Sequence, residues 1–239
     1  MSMDIKTAAQ VFLSVLESKK SPKIKLLGDS ITHGVGGSGW KQNGEHIVKD
    51  FAQSPDSFCW ANMFRDHMKE KYGAAVVNNA CTGTKVEFII EHFNTLVDSD
   101  DDLVVCMIGT NNRHQNMSSG EKMSRETMME NFYENVKKLY SMFLDINIPV
   151  IFMANIPASA KNEQDGADYW RILHMCDINE LYKKFSAEYG ATLVSLYDAF
   201  SEYCKENEIS VDSLLCDGLH PNNEGYKVMY DLITRAFGV

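Results

Sequence analysis

Basic clusters are what this chain most plainly lacks: its lysines and arginines never gather beyond the pairs Lys19-Lys20, Lys137-Lys138 and Lys183-Lys184, and the formal net charge is −10. That balance argues against nucleic acid or an anionic membrane as the main partner. Long apolar runs are also missing; the longest are strand-length, far below the ~20 residues of a membrane-spanning helix. The segment Met1-Ser2-Met3-Asp4-Ile5-Lys6 has no charged-then-apolar leader design. Six cysteines, at 59, 81, 106, 176, 204 and 216, form no C-x-x-C, and the seven histidines form no H-x-x-x-H. Metal-site spacings are therefore absent, and reduced thiols in a cytoplasmic protein with no metal and no cofactor are expected. With no repeats or low-complexity tracts, 44% hydrophobic and 23% charged residues, the 239 residues read as one domain, 1–239, with a sizeable core.

What is there alternates between two periods. Strand-like runs stand at 24–27, 74–78, 103–108, 150–154 and 192–196. Helical stripes separate them: Ile5, Ala8, Phe12, Val15 and Leu16 within 4–18; Phe58, Ala61, Phe64 and Met68; a helix from about 84 to 97; and Phe132 to Phe143 behind a capping-box pattern Thr127-x-x-Glu130. Two more follow, Ile172 to Phe185 and Tyr226 to Phe237. Strands alternating with helices at this spacing predict a parallel sheet covered on both faces.

Four segments carry chemistry. Gly28-Asp29-Ser30 follows the run Ile24 to Leu27, so a tight turn would deliver a serine hydroxyl to the C-terminal edge of the sheet, where α/β folds place ligands. Asp217-Gly218-Leu219-His220-Pro221 offers an orienting carboxylate and a general base near the other end of the chain. Between them, Asn78 to Thr84 and Gly109-Thr110-Asn111-Asn112 each follow a strand-like run. Taken in order, Gly-Asp-Ser, a glycine-containing loop, Gly-x-Asn and Asp-x-x-His, the chain resembles the SGNH or GDSL-type serine hydrolase superfamily over residues 24 to 237.

The resemblance implies a three-layer α/β/α, flavodoxin-like fold with five parallel strands. It implies that Ser30 is the nucleophile, His220 the base and Asp217 its orienting partner, with the Ser30 N–H, Gly83 and Asn111 forming the oxyanion hole. One departure stands out: the superfamily often has Asp where this chain has Asn112. The implied activity is that of an esterase or acylhydrolase without a cofactor, with an acyltransferase or thioesterase on the same triad, or a non-catalytic carbohydrate- or lipid-binding module, as alternatives.

Gly34-Val35-Gly36-Gly37-Ser38-Gly39 matches a dinucleotide-binding fingerprint in letters only. Six residues separate it from the strand, and the second strand ends in Asn78-Asn79 rather than an acid, so close backbone approach explains the glycines more simply. The G-x-S-x-G elbow does not occur. The polar loop 33–57, with Trp40 as a stacking surface, points to a short acyl ester of a polar, sugar-like alcohol as the small-molecule substrate. Arg113 and His114, beside Asn111, are candidate substrate contacts, Arg113 for an acyl or anionic substituent, with a solvated side chain as its ordinary state.

Overall fold

The computed structural model describes residues 6–41, 57–115, 121–166 and 168–239. Five strands, β1 (Lys23–Gly28), β2 (Ala75–Asn78), β3 (Leu103–Met107), β4 (Val150–Ala154) and β5 (Thr192–Ser195), form one sheet in the order β2-β1-β3-β4-β5. Every neighbouring pair is parallel, as the runs of apolar residues in β3 and β4 require of strands buried on both faces. Because β1 lies between β2 and β3, the connections leaving β1 and β3 diverge and open a crevice beyond their C-terminal ends.

Side chains of β3 alternate between two apolar layers. Leu103, Val105 and Met107 join α1 (Ala8–Ser18), α3 (Trp60–Tyr72), α8 (Leu196–Glu206) and α9 (Asn223–Phe237). Val104, Cys106 and Ile108 face α4 (Val86–Glu91), α5 (Phe93–Leu96), α6 (Arg125–Asp145) and α7 (Met175–Tyr189). A four-residue helix, α2 (Ser30–His33), starts directly beyond β1. No helix among the described residues is long and apolar enough to cross a membrane.

Several expected elements shift. The first helix starts at Ala8, capped by Thr7, whose hydroxyl accepts from Gln10 N–H; Ile5 lies outside the described residues. Phe58 is not part of the third helix: its N–H donates to Ser38 O, leaving the side chain exposed, and Trp60 takes the buried position. The helix expected over 84–97 is two, broken at His92, which lets both Ile89 and Phe93 reach the core. Ser124 rather than Thr127 caps α6, its hydroxyl accepting from Thr127 N–H. Finally, β5 stops at Ser195 and Leu196 opens α8, an element the sequence reading omitted although Leu196, Phe200 and Cys204 recur at helical spacing.

At the opposite edge of the sheet Asp98, Asp100 and Asp101, from the acidic run 98–102, bring carboxylate oxygens within 4.8 Å of one another. Lysine ammoniums sit among them: Lys25 Nζ is 2.9 Å from Asp98 and 3.6 Å from Asp101, and Lys23 Nζ is 2.8 Å from Asp100. Lys25 and Asp101 are both buried, so each neutralises a charge that water cannot reach.

Candidate active site

Ser30 is the first residue of α2 and is buried. Asp29 caps that helix, its Oδ1 accepting from Ile31 N–H at 3.0 Å. The other oxygen accepts from Asn155 Nδ2 at 3.2 Å, and the same amide bonds Thr110 Oγ1. Loops beyond β1, β3 and β4 are thereby tied beneath the serine. Asp29 is fully buried; desolvation pushes its carboxyl up, against the opposing pull of the Ile31 N–H and Thr110.

From the far end of the chain, the turn before α9 brings His220 to Ser30. His220 Nε2 lies 2.8 Å from Ser30 Oγ, and Nδ1 lies 2.7 Å from Asp217 Oδ2. A carboxylate only accepts, so Nδ1 donates to Asp217, and Nε2 is the ring nitrogen turned to the serine hydroxyl. Asp217 Oδ1 accepts from Leu219 N–H and His220 N–H at 2.9 and 2.8 Å. Burial pushes the Asp217 carboxyl up, but the His220 backbone N–H, the imidazole and Leu219 N–H outweigh it and hold the group below the usual carboxylate value. Tyr226, on α9, donates to Val35 O at 2.6 Å, or to Ile31 O at 3.1 Å, and so fastens α9 to the serine-bearing segment.

Gly36 explains the glycine run: a Cβ there would lie 2.4 Å from Pro221 O and 3.2 Å from His220 Cβ. The loop passes directly against the histidine, and Trp40 and Lys41, the described residues that follow Gly39, are not helical. Residues 42–56 of the expected substrate loop lie outside the described residues. Trp40 Nε1 donates to His33 Nδ1 at 2.9 Å, which orients the half-buried indole.

Gly83 has φ +74° and open space where a Cβ would be; among the described residues no backbone acceptor takes its N–H. Asn111 begins a 3₁₀ turn (Asn111–Arg113) beyond β3, and its Nδ2 donates to Thr84 O at 3.0 Å, which fixes the amide plane. Asn112 needs no charge: its Oδ1 accepts from Val86 N–H and its Nδ2 donates to Glu87, pinning α4 to this turn.

Arg113 departs from the solvated state expected of it. It is fully buried, with Nε donating to Thr110 O at 3.0 Å and Nη1 paired with Glu163. Its Nη2 has no partner among the described residues. His114 Nε2 pairs with Asp168 at 3.0 Å; burial, then the nearby Arg113 charge, holds its imidazole below the ordinary histidine value. Neither residue is a free surface group. Asn155, Glu163 and Arg171 stand outside the sequence motifs; Asn155 alone carries a signal, a polar residue directly after an apolar strand.

Fold and site together define a carboxylic ester hydrolase of the α/β class. The chain belongs to the GDSL-like lipase/acylhydrolase family, whose pattern matches residues 26–228. Among solved structures it is similar to an acetylxylan esterase, Axe2, from Geobacillus stearothermophilus: 19% identity, 92% of this chain and 97% of that one covered, TM-score 0.66. It is similar also to LAE5, an α/β hydrolase enzyme from the metagenome of Lake Arreo, Spain, at 20% identity, 91% and 95% coverage and TM-score 0.66. No curated protein matches the sequence.

Proposed function

We propose that this chain is a single catalytic domain that cleaves acetyl or similarly short acyl esters of a polar, sugar-like alcohol through an acyl-enzyme on Ser30. The observation that carries the reading is the unbroken hydrogen-bond chain Asp217–His220–Ser30 at 2.7 and 2.8 Å. Ser30 Oγ attacks the carbonyl carbon while His220 Nε2 takes its proton, and Asp217 stabilises the imidazolium that forms. Negative charge moves onto the carbonyl oxygen, where the N–H groups of Ser30 and Gly83 and the second Nδ2–H of Asn111 are the donors. Collapse expels the alcohol with the proton held on His220. Water, deprotonated by the same imidazole, then releases the acid and restores Ser30.

The sugar-like alcohol is supported by the half-buried indole of Trp40 and by the likeness in fold to an acetylxylan esterase. Ser30→Ala should abolish hydrolysis of p-nitrophenyl acetate without loss of fold, and a serine-directed phosphonate should label Ser30 alone. Turnover by the variant near the wild-type rate sinks the assignment. Along a p-nitrophenyl series kcat/KM should fall steeply beyond about four acyl carbons, since a polar site offers a longer chain little apolar area at ~25 cal/mol per Å². A preference for chains of about ten carbons overturns the short-acyl reading.

A further inference from the structure

Beside the triad lies a cleft of about 340 Å³ with Asp217 and Leu219 in one wall and Arg113, Lys161, Asp168 and Arg171 in the others. Its position assigns it to one half of the ester. His220 hands its proton to the leaving alcohol, so the alcohol departs on the His220 side, and the cleft shares the Asp217-to-His220 turn.

Its charges assign the chemistry. The carboxylates are each committed: Asp217 to His220, Asp168 to His114 and Trp170 N–H, and Glu163, behind the wall, to Arg113 and Met175 N–H. The cations are committed in part: Arg113 pairs with Glu163 through Nη1, while among the described residues Arg171 donates to neutral acceptors, Asn162 Oδ1 and Gln164 O, both at 2.9 Å. Lys161 is exposed and has no ion-pair partner among the described residues. Arg113 keeps a buried Nη2 that no acceptor meets. In a protein of net charge −10, three cations converge on one cleft, and they keep N–H donors that none of the neighbouring carboxylates takes up among the described residues. Burial first, and then the Arg113 charge, hold His114 below the ordinary histidine value against the opposing pull of Asp168, with Arg171 adding a smaller push in the same direction as Arg113.

We propose that this cleft is a subsite for a carboxylate on the alcohol half of the ester, so that the favoured substrates are acylated sugar acids rather than neutral acylated sugars. The inference rests on Ser30, His220 and Asp217 being the hydrolytic centre. Lys161 and Arg171 meet the carboxylate directly, and Arg113 reinforces them from behind.

A matched pair tests it: monoacetylated methyl glucuronide against monoacetylated methyl glucoside. The glucuronide should be favoured in kcat/KM by about tenfold, through KM, and the preference should shrink between about 50 and 500 mM salt as screening grows. In Arg171→Gln and in Lys161→Ala the ratio of the two kcat/KM values should fall towards one. Lys161 is exposed, so that variant keeps the test open if Arg171→Gln does not fold. Equal use of the two esters, or preference for the glucoside, overturns the subsite and leaves the Ser30 esterase standing. Binding is read separately on Ser30→Ala protein by NMR titration with methyl glucuronide and methyl glucoside. A carboxylate in the cleft should raise the pKa of His114 with the glucuronide only, and identical titrations with both ligands overturn the proposal. If no ester is cleaved at all, the catalytic reading fails while the His114 titration still reports on the cleft.

Discussion

Asn111 and Asp29 show how differently two polar side chains serve one nucleophile. Asn111 donates one Nδ2–H to Thr84 O, and in the proposed oxyanion hole the other serves the reaction, so Asn111→Ala should lower kcat by about 10²–10³ with less change in KM. Steady-state kinetics check this, and an unchanged kcat would leave Asn111 as the residue that holds the Thr84 loop. Asp29 acts through burial. Its folded carboxyl titrates above the ordinary value of 3.8, so its stabilising contribution is complete below that value and is lost as pH rises through the folded pKa. The stability advantage of the native protein over Asp29→Asn should therefore shrink as pH rises through that window, as urea unfolding at stepped pH would register; a constant gap contradicts it. These roles were unequally legible. Ser30, Asp217 and His220 stand in motifs short enough to read, whereas the burial of Arg113 depends on Glu163, fifty positions away, and no local pattern announces that partner.

At the scale of elements, the close pass of the glycine loop against the turn before α9 is the most sensitive packing. Gly36→Ala would place a methyl 2.4 Å from Pro221 O on a backbone of φ +94°, so we expect a loss of about 1–3 kcal/mol and a fall in kcat of at least tenfold as His220 is displaced. Thermal unfolding with kinetics separates the two effects. In β1, Lys25→Met would leave the buried Asp101 with Lys23 Nζ, 3.7 Å away, as its remaining ammonium among the described residues, and should cost up to about 3–5 kcal/mol, most of it recovered in Lys25→Met/Asp101→Asn. Denaturant titration of both variants checks this; an equally unstable double variant contradicts it. The strands were legible because parallel strands buried on both faces are continuous apolar runs. Their helices blurred where a tertiary contact overrode the stripe: the Phe58 backbone pairs with Ser38 across the glycine loop, and the chain bends at His92 to bury Phe93. The omission of α8 has another cause, since Leu196 continues the apolar run of β5 by one residue while already belonging to the helix.

Across the whole molecule, acid sensitivity is set by carboxylates held below their ordinary values. Asp98, hydrogen-bonded first by Lys25, and Asp217 contribute stability that is present above 3.8 and lost as pH falls through their folded values. Asp98→Asn should flatten the acid limb of a stability-versus-pH curve below about pH 4, discounted because Asp98 is partly exposed; an unaltered limb would assign the acid transition elsewhere. The fastening of α9 to the serine segment by Tyr226 has a consequence in time rather than in space. Ser30 and His220 are 190 positions apart, and chains emerge and fold from the N-terminus onward at about 5–20 residues per second. With the proposed roles of Ser30 and His220, a growing chain carries the serine for many seconds before its base is made, and the docking of α9 is what brings the two together.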